Sequence, residues 1–159
     1  PLFFVLAALL TACEGEQGPP GPPGFDGGIV VSSAFEIEID FNIAKDFSFV
    51  EPYGFDVFPS DVTLVYILWD TIEGQDIWRL LPQNVLFENG VLIYNYDFTQ
   101  SDVRFFLDGS VNLAALDPVW TQNQTFRVVV VPADNVDGLD TSDFNAVVNT
   151  LGIDSFEVH

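Results

Sequence analysis

The sequence predicts an all-β fold over residues 28–159: a β-sandwich of about eight short strands with one short C-terminal α-helix. Three observations predict it. Apolar residues recur mostly with a period of two, turn signals separate these runs about every 8 to 12 residues, and helical spacing is found near the end. About 130 residues suffice for one buried core. Both an immunoglobulin-like and a jelly-roll sandwich fit this pattern.

The first strands follow from their apolar patterns. Phe35 to Phe41 alternates apolar with acidic residues, which is typical of a strand with one face on a core and one in water. Phe47 to Glu51 is a short strand that Pro52 ends. Val62 to Trp69 is almost continuously apolar, which predicts an interior strand covered on both faces.

Two hairpins are predicted next. Ile77 to Leu81 resumes the pattern after a polar break at Thr71 to Asp76, which contains a glycine. Val85 to Phe87 and Val91 to Phe98 then flank Glu88-Asn89-Gly90. Asn and Gly both accept positive φ, so this pair predicts a type I′ turn.

The last elements combine two strands, a helix and a short final strand. Val103 to Leu107 and Phe126 to Val131 are the two strands. Thr141 or Ser142 is the predicted cap of the helix, which Gly152 ends. The apolar positions with helical spacing are Phe144, Val147, Val148 and Leu151. Phe156 to His159 begins a last strand.

Residues 1–12 have the composition of a signal peptide. Leu2 to Leu10 is an uncharged apolar run of about 10 residues, half of the ~20 needed to span a bilayer. We expect this leader to be N-terminally truncated, because it has no Met and no Lys or Arg precedes its apolar core. A buried N-terminal strand or helix is the alternative interpretation.

The residues that end this leader, Leu10-Thr11-Ala12-Cys13, resemble the lipobox of bacterial lipoproteins. The resemblance implies that the Cys13 thiol receives a diacylglycerol and that Cys13 becomes the acylated first residue after cleavage. Cys13 is the one cysteine, which excludes a disulfide within the chain. The membrane is then a partner through several acyl chains, since a single chain holds a protein only marginally. A core cysteine or a reactive thiol is the alternative.

A Gly-X-Y repeat follows Cys13, so that residues 13–27 form a lipid anchor and a stalk. Five glycines at this fixed period arise by chance roughly once in a million placements. Only glycine fits at the axis of a triple helix, and proline presets the required φ. The segment is similar to that of collagen-like bacterial surface proteins. Both a homotrimer and a monomeric polyproline spacer fit so short a repeat. The glycines are Gly15, Gly18, Gly21, Gly24 and Gly27.

The charge of the chain is strongly acidic. With 24 Asp plus Glu against 4 Lys plus Arg, the formal net charge is −20. This charge repels nucleic acid, so no nucleic-acid partner is expected. The acidic residues directly after Cys13 look like the segment that directs some gram-negative lipoproteins to the outer face of the outer membrane. We therefore expect a surface-exposed, lipid-anchored protein of the outer membrane, with the periplasmic face as the alternative.

The residues that catalysis commonly requires are scarce, and the chain is predicted not to be an enzyme. His159 is the single histidine, and no Gly-x-Ser-x-Gly or zinc-ligand spacing occurs. No cofactor is expected except calcium, for which Asp134, Asp137 and Asp140 are candidate ligands around a glycine turn. Their spacing is not that of an EF-hand, and an ordinary polar loop is the alternative.

Two further groups of residues are candidates for binding. Trp69, Trp78 and Trp120 either stack on sugars or pack in the core. Arg104, Phe106, Arg127 and Val129 lie at outward-facing strand positions that are unusually apolar for open solvent. They form either part of a subunit or partner interface, or ordinary pairs of arginine with neighbouring carboxylates.

Together these features favour a cell-surface lipoprotein that displays an acidic β-sandwich head on a collagen-like stalk, in a structural or adhesive role. The alternative is a ligand-binding module of the outer membrane that captures a glycan or a calcium-dependent ligand.

Overall fold

Two β-sheets pack face to face in the computed structural model, which describes residues 33–159. The predicted signal peptide, Cys13 and the five Gly-X-Y glycines lie outside the described residues. The elements are β1 (Ala34–Ile39), β2 (Ser48–Pro52), β3 (Val62–Ile72), β4 (Gln75–Leu80), β5 (Gln83–Phe87), β6 (Gly90–Phe98), β7 (Asp102–Gly109), β8 (Gln124–Val131), α1 (Phe144–Leu151) and β9 (Glu157–Val158).

The strand order separates the elements into two sheets. A five-stranded sheet has the order β4-β3-β8-β1-β9, and a four-stranded sheet has the order β2-β7-β6-β5. All neighbouring strands are antiparallel except β1 and β9. The all-β sandwich with one helix is confirmed, with nine strands among residues 33–159 where about eight were predicted.

The period of two places one set of side chains between the sheets. On β1, Phe35 and Ile39 are almost fully buried, whereas Glu38 between them is exposed. Phe105 on β7 and Val128 on β8 are fully buried in the same cluster. Alternation of this kind arises because successive side chains of a strand point to opposite faces of the sheet.

Strand β3 is covered on both faces, as its continuous apolar sequence predicts. It lies between β4 and β8. Val65 and Ile67 belong to the core between the sheets, whereas Leu64 and Tyr66 belong to a second cluster that contains residues of α1. The five-stranded sheet is therefore the middle layer of three.

The helix is present where it was predicted, but its N-cap is Asp143 and not Thr141 or Ser142. The Asp143 side chain accepts hydrogen bonds from the backbone N–H groups of Asn145 and Ala146, at 2.9 and 3.1 Å. An N-cap carboxylate satisfies backbone donors that have no partner within the helix. Gly152 ends the helix in the left-handed region (φ 64°), as predicted.

The β5–β6 hairpin is confirmed, but the predicted type I′ turn at Asn89-Gly90 is wrong. Phe87 pairs with Gly90, so the two loop residues are Glu88 and Asn89, and neither has a positive φ. Gly90 is required for another reason. A Cβ atom there would lie 2.6 Å from the Ser110 hydroxyl oxygen, which accepts a hydrogen bond from the backbone N–H of Val91.

Candidate functional site

An overhang of strand β3 creates the candidate site at one end of the sandwich. The pairing of β3 with β8 stops at Ile67 and Phe126, whereas β3 continues to Ile72 paired with β4 alone. The register between β3 and β4 shifts between Leu68 and Asp70, which leaves Trp69 as the extra residue. Such bulges redirect a side chain, and here the bulge lies beside the space that β8 leaves open.

A short 3-10 helix, Pro118–Trp120, forms the opposite wall. Asp117 caps it by accepting a hydrogen bond from the backbone N–H of Val119. The Trp120 ring meets the ring of Phe87 edge-on, with centroids 5.5 Å apart. The Tyr94 hydroxyl donates a hydrogen bond of 2.7 Å to the Trp120 carbonyl oxygen. Burial raises the pKa of Tyr94, which disfavours loss of this hydroxyl proton.

These two walls enclose a cleft of about 330 Å³, which we call the tryptophan cleft. That volume is at the small end of the range of ligand sites in proteins, about 300 to 1,000 Å³. No Asp, Glu, Lys or Arg of residues 33–159 lines it, although the chain contains 24 acidic residues. Its lining consists of Ile67, Leu68, Trp69, Tyr94, Val119, Trp120, Asn123, Gln124 and Thr125.

The polar side chains of the cleft have free hydrogen-bonding capacity. Both amide protons of Gln124 are used, in bonds of 2.9 and 2.7 Å to the carbonyl oxygens of Val119 and Gln122. Its side-chain oxygen therefore remains as an acceptor. Neither the Asn123 amide group nor the Thr125 hydroxyl forms a side-chain hydrogen bond with any other residue in the 33–159 range.

Asn123 is held by its backbone and not by its side chain. Its φ is 52°, in the left-handed region that Asn tolerates better than most residues. Its backbone N–H donates to the Asp40 carboxylate at 2.8 Å, and the nearby Thr121 carbonyl accepts from the Phe41 N–H at 2.7 Å. The loop is thus fixed to the end of β1 while the Asn123 amide group stays available.

The tryptophan cleft and Ser33 lie at opposite ends of the sandwich. The Ser33 carbonyl oxygen accepts a hydrogen bond from Val130, near the end of β8. Ile39, at the other end of β1, pairs with Gln124 beside the cleft. Six residues of β1 separate these ends, roughly 20 Å of strand.

The predicted interface residues lie in different environments, and the prediction is wrong for Val129. Val129 is fully buried in the cluster beneath α1. Arg127 bonds Glu36 at 2.8 Å, and its guanidinium carbon lies 4.1 Å from the centroid of the Trp78 ring. The chain's own helix therefore buries Val129, whereas Arg127 is left 23% exposed and its part in an interface stays a prediction.

Arg104 and Phe106 lie on the outer face of the four-stranded sheet, where no helix of residues 33–159 packs. Arg104 forms an ion pair with Asp97, and its guanidinium carbon lies 4.8 Å from the centroid of the Phe106 ring. The side chain of Arg104 is 48% exposed and Phe106 is half-buried. Their part in an interface stays a prediction.

The predicted calcium ligands are not brought together. Among residues 33–159, no three acidic, histidine or cysteine side chains form a group that could hold a metal ion. Asp140 instead accepts hydrogen bonds from the Ser142 hydroxyl, at 2.6 Å, and from its backbone N–H, and these bonds lower the pKa of Asp140. Asp134 lies in a short 3-10 helix, Ala133–Asn135, and Asp137 is exposed. The calcium hypothesis has no geometric support here.

The predicted sugar-binding tryptophans also separate. Trp69 and Trp120 line the cleft, whereas Trp78 lies beneath α1 with its ring centroid 5.4 Å from that of Phe144. No ligand-binding motif in the sequence selects Val119, Asn123, Gln124 and Thr125. One signal marks them: the stretch from Pro118 to Phe126 has no charged residue in a strongly acidic chain.

His159 does not lie near the tryptophan cleft. Its ring stacks on Phe35 with centroids 4.1 Å apart, and its Nδ1 lies 2.9 Å from the Glu51 carboxylate. Phe35 belongs to the five-stranded sheet and Glu51 to the four-stranded sheet, so the histidine connects the two sheets at their β9 and β2 edges. This position suits a structural contact between the sheets.

Comparison of the chain with protein-family models, with curated proteins and with solved structures found no match. In the part of the chain that the structure describes, no helix has the length and apolar character needed to cross a membrane.

Proposed function

We propose that the chain is a bacterial surface lipoprotein that is anchored at Cys13 and displays its acidic β-sandwich as a head on a Gly-X-Y stalk. The observation that carries this proposal is the order of motifs: an apolar leader, Leu10-Thr11-Ala12-Cys13, and five glycines at a period of three. A homotrimer and a monomeric stalk both satisfy it. The role is structural or adhesive and not catalytic, and it involves no nucleic acid. Whether the sandwich is immunoglobulin-like or a jelly-roll stays a prediction.

The position of the tryptophan cleft supports display. Ser33, the first residue that the structure describes, lies at one end of the sandwich, and the cleft opens at the other end. An anchor that precedes Ser33 leaves the cleft on the side of the head away from the membrane. A surface-exposed head in the outer membrane would then present the cleft to the medium, whereas a head on the periplasmic face would present it to the periplasm.

The anchor is tested by replacing the sulfur that would be acylated. We expect the wild-type chain, expressed in a gram-negative bacterium behind a start Met and a short Lys/Arg-containing segment that complete its leader, to incorporate labelled palmitate and to partition into the detergent phase. Cys13→Ser should lose both properties, because serine lacks the thiol. Both sheets of the sandwich are formed by residues within 33–159, none of which this change replaces.

A matched control is Thr11→Ser, which keeps Cys13 and should behave like the wild type. Palmitate-free wild-type protein, or Cys13→Ser protein that stays in the detergent phase, would contradict the proposed anchor.

A second candidate function, ligand binding by the head, is favoured by one observation. The tryptophan cleft combines two tryptophan side chains with polar groups, the Asn123 amide and the Thr125 hydroxyl, that have no side-chain hydrogen bond to another residue of the 33–159 range. Small-molecule sites have this composition, in which apolar walls provide contact and a few polar groups fix the orientation. The two functions are compatible, since a displayed head can also bind.

A further inference from the structure

We propose that the tryptophan cleft binds the ring of a neutral sugar, which rests on the second candidate function and not on the anchor at Cys13. The apolar face of a pyranose ring packs against indole rings, and its hydroxyls both donate and accept hydrogen bonds. Trp69 and Trp120 supply the aromatic surface, and Asn123, Gln124 and Thr125 supply the polar groups. The cleft volume of about 330 Å³ suits one or two rings and not a long polymer.

The types of polar group on the cleft match a polyhydroxylated ligand. The Gln124 side-chain oxygen accepts, the Asn123 amide group donates and accepts, and the Thr125 hydroxyl does both. A sugar hydroxyl both donates and accepts hydrogen bonds, so its site must offer an acceptor and a donor. A purely apolar ligand would bury these groups without partners, at a cost that sugar hydroxyls avoid.

The charge of the cleft argues for a neutral ligand. No ionisable acid or base of residues 33–159 other than the Tyr94 phenol lines it, and burial raises the pKa of that phenol. Arg79 does not line the cleft, although its guanidinium carbon lies 4.2 Å from the centroid of the Trp69 ring. The net charge of −20 repels anions in addition. Neutral hexoses and N-acetylhexosamines therefore fit better than uronic or sulfated sugars.

The experiment uses the purified full-length chain in a zwitterionic detergent, because detergents with sugar headgroups would compete for the cleft. An array of neutral glycans, with uronic, sialylated and sulfated glycans as comparators, identifies the class. Calorimetry with the free sugar that binds best then measures affinity. For a single ring we expect a dissociation constant on the order of millimolar, because so small a ligand makes few contacts.

Two variants locate the binding. Trp120→Ala removes an aromatic wall and should weaken binding at least about tenfold. Asn123→Gly removes the amide group but keeps a residue that adopts φ 52°, and should weaken binding about two- to tenfold, the value of one hydrogen bond. Asp46→Gly is the matched control, because Asp46 has the same φ of 52° and does not line the cleft. It should bind like the wild type.

Each remaining outcome overturns the inference. If no neutral glycan binds, the cleft is not a sugar site. If anionic glycans alone bind, and Arg79→Gln abolishes that binding, the ligand class is wrong. If Asn123→Gly melts at the wild-type temperature and binds equally well, the sugar binds elsewhere. None of these outcomes bears on the anchor, which the Cys13→Ser experiment tests separately.

Discussion

The outer faces of the two sheets carry similar sequences but have different environments. Tyr66 and Val129 on the outer face of the five-stranded sheet are both 0% exposed. Val50 and Leu86 on the outer face of the four-stranded sheet are 51% and 81% exposed. The difference is caused by α1, which packs on the five-stranded sheet through residues such as Phe144 and Val147.

Two of the strand arginines, Arg127 and Arg104, show what the packing of α1 changes. Arg127 is 23% exposed, bonds Glu36 and contacts Trp78. Arg104 is 48% exposed and bonds Asp97, which is itself 54% exposed. Water screens an exposed ion pair and weakens it, whereas a pair beneath a helix keeps more of its attraction. An outward-facing strand position is therefore not the same as an exposed one.

The largest expected effect comes from removing the Phe144 ring, through which α1 packs on the five-stranded sheet. Phe144 is 7% exposed, and its ring centroid lies 5.0 Å from that of Tyr66. We expect Phe144→Ala to lower the free energy of unfolding by about 3 to 5 kcal/mol, because the ring leaves a cavity between helix and sheet. Urea denaturation followed by circular dichroism measures it.

The matched change on the other face is Phe106→Ala. Phe106 is half-buried and no helix of residues 33–159 covers it, so we expect a loss of about 1 kcal/mol or less. Equal losses for the two variants would show that the helix adds nothing to the burial of the five-stranded sheet, and the comparison between the faces would fail.

The sequence predicts much of the sandwich because the strands carry their own evidence. The alternation from Phe35 to Phe41 and the continuous run from Val62 to Trp69 correspond to β1 and β3. The hairpin between β5 and β6 was predicted, but its turn type was not, because Gly90 lies against Ser110 at the end of the neighbouring strand β7. A close approach between distant segments leaves no local pattern.

The burial of the five-stranded sheet by α1 was harder to predict, and so was the tryptophan cleft, because both depend on contacts between segments that are distant in the sequence. Val129 looks outward in its own strand, and a helix that begins at Phe144 buries it. The cleft depends on the different lengths of β3 and β8 and on the bulge at Trp69, which follow from strand register. Of its residues, Trp69 and Trp120 were candidates, whereas Asn123 to Thr125 become a group only through the fold.

The next effect tests how well the helix excludes water from Tyr66. Burial is the main cause that raises the pKa of Tyr66, and its hydroxyl donates to the Thr141 carbonyl at 2.7 Å. Below the unfolded pKa near 10.0, both states keep the proton, and this contribution to stability is fully present. Above it, the unfolded chain alone loses the proton, so the free energy of unfolding falls by about 1.4 kcal/mol per pH unit for each such tyrosine.

Tyr66→Phe removes this contribution. The difference in unfolding free energy between wild type and variant should therefore shrink by about 1.4 kcal/mol over the first full pH unit in which the unfolded tyrosine is ionised. Urea denaturation at several alkaline pH values measures it. Tyr94→Phe is the comparator, because burial between the sheets also raises the pKa of Tyr94. If the difference shrinks for Tyr94→Phe but not for Tyr66→Phe, the helix excludes water less well than the second sheet does.

The smallest effect compares the arginines directly. The Arg127 guanidinium carbon lies 4.1 and 4.5 Å from the centroids of the Trp78 and Phe156 rings. Lysine keeps the charge but not the planar group that stacks on both rings, so Arg127→Lys should lower the free energy of unfolding by about 1 kcal/mol. Arg104→Lys should cause no measurable change, because water already screens its pair with Asp97. Urea denaturation of both variants measures the difference. An equal loss at the two positions would mean that stacking on Trp78 and Phe156 beneath the helix does not make Arg127 contribute more than Arg104 to the free energy of unfolding.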